Sequence, residues 1–211
     1  MKEKPSEWIA ISDLMAGVMA VMMLLLVLAI MQKGASELKY KLELEQSKVQ
    51  RVDPLKDISL KIKKILNTGN ANELIEMDLA HSRLTLRDSV FQKGSACLTE
   101  EAKIAVQSVQ QQLESFLKEH ERSKILVEGY TDNLPVNHPV TDFRRFCTVY
   151  DDNYTLSAAR AREARKAIVG NMDEATARRI IVAGYGDSSP LPGIDPADAR
   201  NRRVEVQLTL K

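Results

Sequence analysis

The first side chain that could do chemistry is an aspartate inside an apolar stretch. From Ile9 to Met31 the sequence has one ionisable residue, Asp13, and no proline. As a helix this stretch would be about 34 Å long, and the hydrocarbon core of a bilayer is about 30 Å thick. A carboxyl group at such a depth costs several kcal/mol, so it is rarely retained without a role. We therefore predict a membrane span at 9–31, in which Asp13 takes up and releases ions.

Alternatives stay open for this segment. Asp13 or the adjacent Ser12 could instead cap the helix at the level of the headgroups. A cleaved signal peptide agrees less well, because the lysines before the stretch are offset by glutamates. Lysines lie on both sides of the span, so they do not decide its orientation. A single span forms no ion path alone, so an ion-carrying Asp13 requires a multi-span membrane partner.

A carboxylate and a guanidinium form the second candidate site. Asp132 follows the strand-like segment Lys124–Tyr130, and Arg160 lies in the first turn of a helix that Ser157 is predicted to cap. Both side chains can reach one cleft, where they would hold the ammonium and the carboxylate of an amino acid. From these residues alone, a direct Asp132–Arg160 ion pair that stabilises the loop is the simpler interpretation.

Composition and spacing exclude several other classes of protein. The chain has 211 residues with 30 Lys+Arg against 29 Asp+Glu, so it lacks the basic excess of a nucleic-acid-binding protein. The three histidines, His81, His120 and His138, do not have the spacing of metal ligands. No Ser-His-Asp or Cys-His arrangement can be placed. We therefore expect no enzyme, no metal and no cofactor.

The polar residues 32–72 predict a helical connector. Apolar residues recur near heptad spacing before and after Pro54, which should separate two helical stretches. In one interpretation these are amphipathic helices, one of which lies on the folded domain. In the other, two copies of the chain pair in parallel through these positions. The sequence does not decide between them.

Residues 73–211 predict an α+β domain with two layers and the order βαβαββ. Strand patterns occur at Leu74–Leu79, Arg83–Leu86, Lys124–Tyr130, Ile180–Gly184 and Arg203–Leu210. One helix begins after Thr99, which can cap it, and a second runs from Ser157 to Val169. The predicted core lies between these helices and one face of the sheet.

Five blocks of this region carry a resemblance to the OmpA-like peptidoglycan-binding domain. They are SVFQKGSACLTEEA at 89–102, VEGYTD at 127–132, NYTLSAARA at 153–161, VAGYGDSSP at 182–190 and NRRVEV at 201–206. The resemblance implies that Asp132 binds the ammonium of diaminopimelate and Arg160 its carboxylate. It also implies that Thr131, Asn153 and Arg202 lie nearby, although Arg202 and Arg203 could equally be a structural pair on the last strand.

The chain departs from this family in an insertion at 133–155. The insertion could fold over the site, add contacts to it or obstruct it. It contains Cys147, and Cys97 lies in the loop that borders the same cleft in the family. In an oxidising periplasm the two would form a disulfide, whereas in a cytoplasmic domain they would be two unrelated thiols.

The two ends of the chain together resemble the B subunits of ion-driven stators, the MotB-like proteins. The span departs from the flagellar WxVxYxDxM pattern, and among non-flagellar relatives the chain is most similar to the ZorB subunits of Zorya anti-phage systems. The resemblance implies a homodimer of this chain inside a ring of five MotA- or ZorA-like partner chains. It also implies a cytoplasmic N-terminus, a single pass through the inner membrane and a periplasmic domain bound to peptidoglycan. Flagellar stator subunits and non-motor wall anchors are the alternative functions.

Overall fold

The computed structural model describes residues 15–28, 30–33, 37, 39, 53–69 and 71–210. The chain forms two units, Met1–Val52 and Asp53–Lys211. In the first unit, helix α1 (Met15–Lys33) is long and apolar enough to cross a membrane, and its described side chains are exposed. This agrees with the predicted apolar N-terminal helix. Asp13 and Ser12 lie outside the described residues.

The second unit begins with helix α2 (Pro54–Thr68). Asp53 caps it by accepting a hydrogen bond from the Leu55 amide, and Pro54 occupies the first turn, where its missing N–H costs nothing. Ile58, Ile62 and Leu66 are buried in the core. The helix therefore lies on the folded domain, as the first interpretation of the connector proposed. The compact unit includes residues 53–72, which the sequence analysis had placed in the connector.

A five-stranded sheet forms one layer of this unit. The strands are β1 (Ile75–Asp78), β2 (Arg83–Arg87), β3 (Lys124–Tyr130), β4 (Ile180–Gly184) and β5 (Arg203–Thr209). Their order across the sheet is β1-β2-β5-β3-β4, with β3 and β4 parallel and all other neighbours antiparallel. The α+β class is confirmed, and a strand is present at each of the five predicted strand patterns. Because the β1–β2 hairpin contributes two strands before α3, the order is ββαβαββ and not the predicted βαβαββ.

Two long helices form the other layer with α2. Helix α3 (Glu100–Glu119) begins as predicted at Thr99, whose hydroxyl accepts a hydrogen bond from the Ala102 amide. Helix α5 (Asn153–Val169) packs on β3 and β4. The short helices α4 (Phe143–Phe146) and α6 (Glu174–Ala177) precede and follow α5. The core lies between these helices and the buried alternate residues of the sheet.

The start of α5 differs from the prediction. Asp152, not Ser157, caps the helix by accepting a hydrogen bond from the Thr155 amide at 2.6 Å. The Ser157 hydroxyl instead donates to the Tyr154 carbonyl and accepts from the Gly186 amide. A serine inside a helix can satisfy its hydroxyl in this way, so its presence does not fix a helix start. Arg160 consequently lies two turns into α5, not in its first turn.

We expect the Asp152 cap to make the stability of this unit depend on pH. Its hydrogen bonds with Thr155 lower the pKa of the Asp152 carboxyl below its ordinary value. A lowered folded-state pKa stabilises the fold above the unfolded value of about 3.9, and the contribution is lost as the pH falls through the folded value. Asp152→Ala should therefore lower the melting temperature at pH 7 and have little effect near pH 2.

Calorimetry of the wild type and Asp152→Ala between pH 2 and pH 7 would test the cap, and Asp151→Ala is the matched control. Asp151 is an exposed neighbouring carboxylate with no hydrogen bond in the described part of the chain. An equal loss in the two variants would contradict the capping role.

Candidate functional site

The five predicted site residues lie at one end of the sheet. Thr131 and Asp132 follow β3, Arg202 precedes β5, and Asn153 and Arg160 lie on α5. Thr131 is fixed by a hydrogen bond from its amide to the Gly186 carbonyl at 2.8 Å. The structure therefore brings these residues into one charged cluster, which we call the end cluster. It consists of Asp88, Thr131, Asp132, Asn153, Arg160 and Arg202.

The carboxylate of Asp132 is almost fully buried in this cluster. Its Oδ2 lies 2.5 Å from Nη1 of Arg202, and its Oδ1 accepts a hydrogen bond from the Leu134 amide at 3.3 Å. The Asn153 amide group donates to the carbonyls of Asp132 and Leu134 at 3.2 and 3.0 Å. Asn153 thus holds the backbone of the segment that carries Asp132. The Asp132 carboxylate itself pairs with Arg202.

The guanidinium of Arg160 is also buried, with only 3% of the residue exposed. Its Nε donates to the Ser95 carbonyl at 3.1 Å, and the Phe91 ring lies 5.2 Å from its centre. Burial lowers the pKa of Arg160 below its ordinary value, and the Asp88 carboxylate opposes this shift. Such a charge is costly to bury unless counter-charges accompany it.

Asp88 supplies that counter-charge, and the sequence analysis did not identify it. Its Oδ1 lies 3.3 Å from Nη1 of Arg160, and its Oδ2 lies 2.9 Å from Nη2 of Arg202. The hydrogen bond with Asp88 raises the pKa of Arg202. Asp132 and Arg160 are therefore not joined by a direct ion pair; each has its own partner. The one available signal was position, since Asp88 directly precedes the block at 89–102.

Two buried polar atoms of the end cluster lack hydrogen-bond partners among the described residues. They are the Thr131 hydroxyl oxygen and Nη1 of Arg160, whose contact with Asp88 does not have hydrogen-bond geometry. Buried polar groups are nearly always paired, so each unpaired one requires an explanation. The neighbouring carboxylates and guanidinium groups give the cluster charges of both signs, a chemistry that suits a molecule carrying both charges.

Arg203 is separate from this cluster. It is buried, its Nε donates to Glu205 at 2.7 Å, and its guanidinium lies 4.0 Å from the centre of the Tyr130 ring. Arg202, which precedes β5, pairs with Asp88 and Asp132, whereas Arg203 pairs with Glu205, so the two side chains diverge. Arg203 is a structural residue of the sheet, and Arg202 belongs to the end cluster.

The insertion packs on the loop that follows β2. Cys97 and Cys147 form the predicted disulfide, with Cα atoms 5.1 Å apart. The Tyr150 hydroxyl donates to the Gly94 carbonyl at 2.6 Å, and Arg162 donates to the Cys147 carbonyl at 2.6 Å. The insertion is therefore held against both the loop that contacts Arg160 and α5, the helix that carries Arg160.

Fold and site together define a small α+β domain with a buried cluster of opposite charges at one end of its sheet. A family model described as the OmpA family matches residues 90–203, more than half of the chain. The chain belongs to the OmpA family. None of the curated proteins matches this sequence.

Two solved structures show the same fold at low identity. A MotB-like protein from Desulfovibrio vulgaris is 22% identical, with a TM-score of 0.53 over 74% of this chain and 94% of that one. The cell-wall anchor of the T6SS from Pseudomonas aeruginosa is 24% identical, with a TM-score of 0.50 over 71% of this chain and 97% of that one. The similarity extends over most of the second unit, including part of the chain outside the family match.

Proposed function

We propose that this chain anchors a membrane complex to peptidoglycan through the end cluster. The observation that carries the proposal is the pair of unsatisfied buried atoms, the Thr131 hydroxyl and Nη1 of Arg160, beside two carboxylates and Arg202. Diaminopimelate in the peptide stem offers an ammonium and a carboxylate on one carbon. In our proposal Asp132 faces the ammonium and Arg160 the carboxylate, as the resemblance implied.

We further propose that the anchored complex is an ion-driven motor and that this chain is its B subunit. The apolar helix α1, the acid Asp13 before it and an OmpA-family domain occur in the order of a MotB-like subunit. Wall binding requires the domain to be periplasmic and the N-terminus cytoplasmic, and a disulfide is typical of that compartment. The partners would be a MotA- or ZorA-like multi-span protein, with five such chains around two copies of this one.

The proposed biological role is anti-phage defence, as in the ZorB subunits that the sequence resembles. It is supported by the departures of the span from the flagellar pattern. A motility stator is the alternative motor. A non-motor wall anchor is a second candidate, because the T6SS cell-wall anchor has the same fold. The genes beside this one separate defence from motility, and co-purification with a multi-span partner separates motor from anchor.

Binding to purified peptidoglycan tests the anchor directly. Asp132→Ala or Arg160→Ala removes one pole of the site, so the ammonium or the carboxylate of the ligand loses its counter-charge. We expect each to weaken binding by about 1.5–3 kcal/mol, roughly ten- to a hundredfold, in a sedimentation assay with purified sacculi. Glu174→Ala and Arg178→Ala are matched controls, because they remove an exposed ion pair on α6.

Equal binding by wild type and both site variants would contradict the site assignment. Failure of the wild-type protein to bind sacculi would contradict the anchoring function itself.

A further inference from the structure

The insertion and the loop after β2 form one unit at the residues that surround the disulfide. The Phe146 carbonyl, at the end of α4, accepts hydrogen bonds from the Ser95 hydroxyl and the Ala96 amide, both at 3.0 Å. The adjacent residue, Cys147, is bonded to Cys97. Three consecutive residues of the loop are thus attached to two consecutive residues of the insertion. Neither segment can shift here without the other.

Ser95 connects this unit to the guanidinium of the site. The residue is fully buried, and its hydroxyl, besides donating to Phe146, accepts from the Cys97 amide at 2.9 Å. Its carbonyl accepts from Nε of Arg160 at 3.1 Å. This is the one hydrogen bond of the Arg160 side chain within the described residues. The Ser95 carbonyl at Nε and the Asp88 carboxylate beside Nη1 therefore hold the guanidinium in place together.

We propose that Ser95 and the Cys97–Cys147 disulfide position Arg160 for its ligand. This inference rests on the proposed function of the end cluster. An arginine held at Nε loses less side-chain freedom on binding than one that must be ordered by the ligand. Nη1, which lies 3.3 Å from the Asp88 carboxylate without a hydrogen bond to it, then keeps a fixed place at which the carboxylate of a ligand can bind. The Cys147 end of the insertion thus acts on the site through Arg160.

The rival explanation is that the disulfide only stabilises the fold. Coupling between mutations distinguishes the two. If the disulfide and Ser95 act through Arg160, breaking them should cost nothing further once the guanidinium is gone. If they act through general stability, their effect should be the same with or without Arg160.

The experiment uses the full-length chain in detergent and a soluble muropeptide that contains diaminopimelate. Ser95→Ala keeps the disulfide, and the double variant Cys97→Ser/Cys147→Ser keeps Ser95; each is measured alone and combined with Arg160→Ala. We expect each to weaken binding about five- to tenfold when Arg160 is present and less than about twofold in combination with Arg160→Ala. Arg178→Ala is the control for a lost exposed arginine, and melting temperatures establish that every variant is folded.

Maleimide labelling of the denatured wild type should detect no thiol before reduction and two after it. The positioning role would be overturned if Ser95→Ala and Cys97→Ser/Cys147→Ser both bind like the wild type, or if their loss of binding is the same with and without Arg160. In either case, binding of the muropeptide by the wild type would still support the anchoring function. Two free thiols in the wild type would overturn the part assigned to the disulfide. A wild type that does not bind the muropeptide would overturn the positioning role together with the proposed function.

Discussion

Gly129→Ala should destabilise the OmpA-family domain by about 3 kcal/mol or more, the upper part of the range for overpacking a closed core. A Cβ at this position would lie 2.6 Å from the carbonyl carbon of Ser157, in the backbone of α5. Backbone cannot move aside as a flexible side chain can. The helix must therefore lift from the sheet or β3 must bend.

The neighbouring strand shows the same close approach. Gly184 is the register partner of Gly129 in the parallel β3–β4 pair, and a Cβ there would lie 2.6 Å from the Cβ of Ala158. The two glycines thus form a flat surface on which α5 rests. Because Arg160 and Asn153 belong to α5, lifting the helix should also disturb the end cluster.

Chemical denaturation monitored by circular dichroism measures the first effect. Gly69→Ala is the matched control, since Gly69 has a φ of −88° and the nearest atom to an added Cβ is 3.4 Å away. We expect the control to change stability little. A Gly129→Ala protein as stable as the control would contradict the close packing of α5 on β3.

The layers of this fold were predictable because hydrophobic spacing and caps are local signals. The core side of α3 and the alternation in β5 could be read from a few consecutive residues each. The beginning of α5 could not, because Asp152 and Ser157 are both acceptable caps and only the contact of Ser157 with Gly186 decides between them. The packing of α2 on the domain could not be predicted either, because its apolar stripe suits both packing within this domain and pairing with a second copy of the chain.

The candidate site was predictable mainly through the resemblance of its sequence blocks. Asp132 and Arg160 alone suggested a direct ion pair, and the structure instead gives each a different partner, Arg202 and Asp88. Asp88 was not identified because it comes from a distant part of the chain and carries no local pattern. The contact between Ser95 and Arg160 could not be predicted either, because it uses a backbone carbonyl, which any residue type at position 95 would supply.

In the proposed motor, Asp13→Asn should abolish ion flow through the assembled complex and leave the assembly intact. Asparagine keeps the size and hydrogen-bonding capacity of aspartate but cannot ionise, so it cannot take up and release an ion. The effect should be complete, because no other ionisable residue lies between Ile9 and Met31. The measurement is ion uptake into vesicles that contain this chain and the proposed multi-span partner. Ser12→Ala, which changes a polar neighbour without removing a charge, should retain uptake.

The two ends of the chain should then fail independently. Asp13→Asn should still bind sacculi like the wild type, because the proposed wall site lies wholly in the second unit. Asp132→Ala should bind sacculi more weakly and should still co-purify with the proposed partner. A motor needs both ends, so either variant should abolish its output, whereas a non-motor anchor needs only the wall site and should tolerate Asp13→Asn. Full ion uptake and full biological output in Asp13→Asn would therefore reject the motor and leave the anchor.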